Sequence, residues 1–178
     1  MTGVQTCALP IYDKKQSLLY VAGLNGNLTA AAELLDMGAN ANSQGSVYGN
    51  ALQAAAWQGS EGVVRLLLAR GADVNAQGGE FGNALQAAAW RGREGVVRLL
   101  LDRGADINAQ GGELGNAFQA AVFAGSEGIV RLLLDRGANA NAPGGAYGHA
   151  LQAAARRGSD GVFRLLLDRG ADVNAQGG

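Results

Sequence analysis

The sequence predicts an all-α fold, a solenoid of short helix–turn–helix units joined by hairpin loops. Three observations carry that expectation. The segment Gly49-Asn50-Ala51-Leu52-Gln53-Ala54-Ala55 returns from Gly82, from Gly115 (with Phe118 for leucine) and from Gly148 (with His149 for asparagine), each time 33 residues on. Every unit holds two apolar stretches of helical length parted by a glycine, and a fixed period of this size marks stacked units that cannot bury their apolar faces alone. Glycine, finally, supplies 29 of 178 residues against two prolines and no run of Gly-X-Y triplets, which excludes collagen and makes glycine the punctuation of a folded chain. With 48% of residues hydrophobic, disorder fits poorly.

Each element has a local reason. A degenerate first copy places Gly38-Ala39-Asn40 33 residues before Gly71-Ala72-Asp73 and sets Ser17 opposite Asn50. Five units follow, at 13–45, 46–78, 79–111, 112–144 and 145–178. Asn50 is expected to cap a first helix over 51–58 by accepting backbone N–H groups, with Ser17, Asn83 and Asn116 in the same slot. Gly59 suits the left-handed residue that ends such a helix. Ser60, Ser126 and Ser159 are expected to cap the second helix, Arg93 being the exception. That helix carries Val63-Val64 and Leu66-Leu67-Leu68, too apolar for an isolated surface helix, so neighbours must bury it; Gly71 ends it. Glu61, Glu94, Glu127 and Asp160 sit in its first turn, where the helix dipole favours anions. Arg65, Arg98, Arg131 and Arg164 follow four residues later, the spacing of a solvated face laced by ion pairs. Gly82 and Gly95 have no evident role at this level.

Residues 1–11 share nothing with the repeats and resemble the translation of a sequencing-adaptor oligonucleotide, so 1–12 is set aside as an artefactual, disordered leader. A short signal peptide is the alternative, but a basic n-region is missing and Gln5 and Thr6 interrupt the apolar stretch. Without the leader, Cys7 and Pro10 drop out and Pro143 is the remaining proline. Polar residues break every apolar run well short of the ~20 residues needed to span a membrane.

The 33-residue unit resembles the ankyrin repeat. The resemblance covers residues 13–178 and rests on Ala54-Ala55 followed by Gly59, on Val63-Val64-Arg65-Leu66-Leu67-Leu68, and on Gly71-Ala72-Asp73-Val74-Asn75-Ala76. Asn50-Ala51-Leu52-Gln53 stands where the family usually shows Thr-Pro-Leu-His, and Gly78 and Phe81 replace its hairpin Asp and Gly. This Gly-Gly-x-aromatic-Gly-Asn-Ala-Leu-Gln variant is similar to arrays common in fungal proteins, where they often follow a nucleotide-binding module. The resemblance implies a non-catalytic protein-interaction module in the cytoplasm, cut from a longer protein, with further ankyrin repeats on its C-terminal side. A sensor or regulatory region of a multidomain signalling NTPase or other enzyme is the alternative. If further repeats follow, residues 12–178 alone should expose an apolar face and self-associate.

Catalytic chemistry has little material. His149 is the sole imidazole and replaces a capping asparagine, and no acid, Ser or Cys partner recurs at a suggestive spacing. The pairs Gly78-Gly79, Gly111-Gly112 and Gly144-Gly145 lack the Lys-Ser/Thr of a phosphate loop and fall where hairpins must turn. No cofactor and no metal is expected. A net charge of −1 gives no reason to expect nucleic acid or an anionic membrane as partner. Asn27-Leu28-Thr29 is a lone glycosylation sequon and carries little weight.

Function is therefore sought where the copies differ. One variable pair closes the first helix: Trp57-Gln58, Trp90-Arg91, Phe123-Ala124 and Arg156-Arg157. A second lies in the hairpins: Val47-Tyr48, Glu80-Phe81, Glu113-Leu114 and Ala146-Tyr147. By resemblance both face the concave side, where partners dock, and stacking aligns them into one stripe. The candidate contacts are Val47, Tyr48, Trp57, Gln58, Glu80, Phe81, Trp90, Arg91, Glu113, Leu114, Phe123, Tyr147, Arg156 and Arg157, with an unidentified protein as partner. Packing between units competes as an explanation for the aromatic members of both sets. The arginines are harder to bury and better placed for contact.

Overall fold

The computed structural model describes residues 11–142 and 148–175, with 11–17 as helical backbone only. Within these residues the chain is all-α, its helices arranged in consecutive pairs. They are α1 Ile11–Leu24 and α2 Leu28–Asp36, α3 Ala51–Gln58 and α4 Glu61–Ala69, α5 Ala84–Trp90 and α6 Glu94–Asp102, α7 Ala117–Ala124 and α8 Glu127–Asp135, α9 Ala150–Arg157 and α10 Asp160–Asp168. First helices pack on first helices (α1, α3, α5, α7, α9) and second helices form a parallel row behind them. Among the described residues no helix is long and apolar enough to cross a membrane.

The first helices approach closely because their contact faces are alanine. Ala54, Ala55, Ala56, Ala87, Ala88, Ala89, Ala120 and Ala121 have no exposed surface. Larger side chains fill the space between the two rows: Leu52, Leu85 and Phe118 from the first helices, Leu67, Leu100, Leu133 and Leu166 from the second. Burying each contributes about 1.5–3 kcal/mol. The core is thus continuous from unit to unit.

Asn50, Asn83 and Asn116 adopt extended backbone and accept the N–H of Gln53, Gln86 and Gln119, each at 2.9 Å. Gly59 takes the left-handed conformation that ends α3, at φ +91°. Asn27 of the sequon caps α2, accepting from the Ala30 N–H at 3.0 Å. Two expected caps are not formed as read. Ser17 lies inside α1, because residues 12–16 contain neither glycine nor proline to stop the helix upstream. Ser60, Ser126 and Ser159 hold the N-cap position of the second helices without a side-chain cap bond. Ser60 is instead bent at φ −85°, ψ +84°, and Glu61 N–H donates to Gly59 O at 3.2 Å, an inverse γ-turn that uses the backbone where the hydroxyl was expected.

Ion pairs run along the second helices as expected at Glu61–Arg65 (3.3 Å), Glu94–Arg98 (2.7 Å) and Glu127–Arg131 (2.9 Å). Asp160, one methylene shorter than glutamate, makes no such pair with Arg164 among the described residues. The glutamates also account for Gly95. Glu61 of the preceding unit lies against its bare Cα, and Glu94 and Glu127 lie likewise against Gly128 and Gly161.

A second set of links joins the turns after the second helices. The side-chain oxygens of Asn42, Asn75, Asn108 and Asn141 accept the N–H of Asp73 (2.7 Å), Asp106 (2.8 Å), Asn139 (3.2 Å) and Asp172 (2.9 Å) in the next unit. Asn42 and Asn75 also donate to Gly71 O and Gly104 O. Asn75→Ala therefore removes two links between units and is expected to cost about 1–2 kcal/mol in urea unfolding. Arg98→Ala, which loses an exposed pair on one helix, should cost at most about 0.5 kcal/mol. Equal losses for the two would show that the turn ladder contributes nothing of its own.

Candidate binding face

The hairpins are held by the glutamine that follows each capping asparagine by three residues. Gln53 is buried and its amide donates to Gly78 O at 2.9 Å and Gly82 O at 3.0 Å, both in the next hairpin. Gln86 repeats this on Gly111 O (2.9 Å) and Gly115 O (2.8 Å), and Gln119 on Ala142 O (3.1 Å) and Gly148 O (3.2 Å). Gln152 is exposed and donates to Ala175 O at 3.2 Å. Gln53, Gln86 and Gln119 thus fix where the following hairpin starts and ends.

Successive hairpins also bond to each other. Glu80 N–H donates to Val47 O at 2.9 Å and Glu113 N–H to Glu80 O at 3.3 Å. Gly82 and Gly112 make this approach possible. At φ +84°, a Cβ on Gly82 would stand 2.8 Å from the Gly111 carbonyl carbon. At φ +60°, one on Gly112 would stand 2.5 Å from the Phe81 carbonyl carbon. Only glycine fits either place, which supplies the account of Gly82 that the sequence lacked. Val47, Glu80 and Glu113 consequently form an exposed row at the hairpin tips.

Beside that row the two variable sets merge. Tyr48 stacks on Trp57 at 4.8 Å between ring centroids, and Phe81 stacks on Trp57 at 4.6 Å. Phe81 meets Trp90 at 6.4 Å, and Trp90 stacks on Phe123 at 4.8 Å. The rings form one continuous line across three units. Arginines cover two of them: the Arg91 guanidinium lies 4.6 Å from the Trp57 centroid and that of Arg157 4.7 Å from the Phe123 centroid. In each case the cation comes from the unit after the ring.

Burial sorts the candidates. Phe81 and Leu114 lie below the surface, each 6% exposed, so they support the line rather than present it. Tyr48, Trp57, Trp90 and Phe123 are half-buried. Val47, Gln58, Glu80, Arg91, Glu113, Arg156 and Arg157 are exposed. Tyr147 lies outside the described residues. Packing and exposure are therefore compatible here: the rings stack on each other and keep part of their surface outward. Arg93 belongs to the same region although the sequence showed it only as a departure from serine. Its Nε donates to Trp57 O at 3.4 Å, reaching across the same boundary as Arg91. A charged residue in a serine slot beside the Trp57 unit was the available signal.

His149 sits at the N-cap of α9, its backbone N–H donating to Gln152 Oε1 at 3.3 Å. Among the described residues no three His, Cys, Asp or Glu side chains converge as metal ligands. A family model for ankyrin repeats matches the chain in three copies, over residues 3–78, 19–111 and 85–177. No curated protein matches.

Proposed function

Because the chain belongs to the ankyrin-repeat family, whose arrays are in general protein-interaction modules, we propose that it is a non-catalytic cytoplasmic module that binds a protein along the line Tyr48, Trp57, Trp90 and Phe123. One observation carries the reading. The scaffold positions repeat almost unchanged, whereas the half-buried rings and the arginines over them are the variable positions, and stacking gathers them on one face. Aromatic residues and arginine are the types that dominate binding energy at interfaces, each contributing about 1–2 kcal/mol or more when a partner buries it.

A photoreactive side chain at Gln58, on this face, should capture a partner; the same group at Arg98, on the second-helix side, should not. Trp90→Ala combined with Arg91→Ala should weaken that partner about tenfold or more while the helical circular dichroism is kept. Capture from Arg98 alone, or a double variant that loses only thermal stability, would remove the proposal.

A further inference from the structure

We propose that the segment bound on this face is acidic and extended, with two carboxylates five to six residues apart seated on Arg91 and Arg157. The inference rests on the proposed binding face and adds the chemistry of what lies there.

Arg91 and Arg157 are used differently from the six arginines that pair with carboxylates. Arg65, Arg98 and Arg131 pair with glutamates of their own helix, and Arg70, Arg136 and Arg169 with Asp36, Asp102 and Asp135 of the preceding unit. Neither Arg91 nor Arg157 has a carboxylate within ion-pair distance among the described residues. Both are exposed, and both lay the guanidinium carbon over a ring of the previous unit, at 4.6 and 4.7 Å. Stacking occupies the face of the guanidinium and leaves its N–H edge free, the edge that grips a carboxylate with two parallel bonds. A ring beneath also restrains the side chain before anything binds, which lowers the entropy lost on binding.

Helix-end electrostatics do not explain the pair. Arg91 and Arg157 close α5 and α9, where a cation complements the helix dipole. Yet α3 and α7 end on Gln58 and Ala124 in the same positions and form equally well. The fold does not require these charges.

The spacing sets the ligand. Packed helices lie about 8–10 Å apart, so two units separate the arginines by about 16–20 Å. An extended chain covers that span in about five to six residues at ~3.3 Å each. Between the two cations the slot holds Ala124, small, half-buried and next to Phe123 in the chain, which suits apolar residues between the two acids. Glu80 and Glu113 on the hairpin tips repel an acidic segment and confine it to the arginine edge. Arg156, exposed beside Arg157, adds positive charge at that end.

The test is fluorescence anisotropy of the full chain with a labelled octapeptide, Gly-Glu-Leu-Ser-Leu-Ser-Glu-Gly. Binding is expected, weakening with added salt. Arg91→Gln with Arg157→Gln should weaken it at least tenfold, and the matching Arg→Lys pair, which keeps charge but loses the fork, by less. Arg65→Gln with Arg131→Gln, on the other side of the array, should leave it unchanged. Circular dichroism of each variant confirms folding. Equal binding of a peptide with lysine for glutamate would overturn the inference. So would binding insensitive to the Arg→Gln pair, tighter binding of a single-stranded oligonucleotide of equal length, or no binding at millimolar peptide. Capture of a partner from Gln58 reads the face regardless of charge, so its success alongside failure of the acidic peptide rejects this inference alone.

Discussion

Replacing Gln86 with leucine is expected to lower the free energy of unfolding by about 2–4 kcal/mol. The leucine fills a similar volume but donates nothing, so Gly111 O, which receives the amide at 2.9 Å in a part-buried setting, loses that partner, and Gly115 O, which receives it at 2.8 Å, keeps only the Gly111 N–H. A carbonyl left without a partner costs about 1–3 kcal/mol, and the bond lost at Gly115 O adds about 0.5–1.5 kcal/mol. The capping bond from Asn83 to the Gln86 backbone survives, because it does not use the side chain. Gln152→Leu is the internal control. That residue is exposed; its side chain donates to Ala175 O at 3.2 Å and accepts the His149 N–H at 3.3 Å, both in a solvated setting, so the same substitution should cost no more than about 1 kcal/mol. Chemical denaturation of both variants decides the matter. Similar losses at the two positions would mean that hairpin anchoring is not the source of stability.

Gly112→Ala should be at least as damaging, costing about 3 kcal/mol or more and disordering the hairpin. Two penalties coincide there. The backbone is left-handed, which alone costs a non-glycine residue about 1–2 kcal/mol. The added methyl would also stand 2.5 Å from the Phe81 carbonyl carbon and 2.7 Å from the Gly82 nitrogen, atoms that cannot rotate away. Gly104 separates the two effects. It has φ +84° with nothing within 4 Å of the Cβ position, so Gly104→Ala should show the conformational cost alone. A small, equal loss at both sites would mean that the hairpins separate freely and that the line of tips is not fixed.

The elements governed by near neighbours were legible in the sequence. The span 51–58, the asparagine caps and the left-handed Gly59 each depend on a few consecutive residues, and each was found where expected. Ser60 failed because residue type indicates a cap only when the backbone is extended, and here a γ-turn takes its place. What the sequence did not disclose are links that exist only once units stack. Gln86 appeared as a helix residue, Asn75 as part of a turn motif, and Glu61 as a dipole partner. Their contacts with Gly111, Asp106 and Gly95 lie in the following unit. The variable positions drew attention to Trp57 and Arg91 separately. That the guanidinium of one would lie over the ring of the other is a property of stacking, not of either segment.

The constant offset of the stacking bonds has a consequence for how such a chain can change in length. Each asparagine reaches 31 residues ahead, Gln53, Gln86 and Gln119 reach 29, and each Arg–Asp pair spans 34, all tied to one register. Excising or duplicating a block of 33 residues hands each asparagine and glutamine an equivalent backbone partner, so these two ladders run unbroken across the joint. A block of any other length misaligns all the ladders together. The near-identical stretches of sequence are also those in which misaligned copies of the coding DNA would recombine. Recombination between them would deliver whole units by default, and the array can gain or lose reach without the asparagine and glutamine ladders being redesigned.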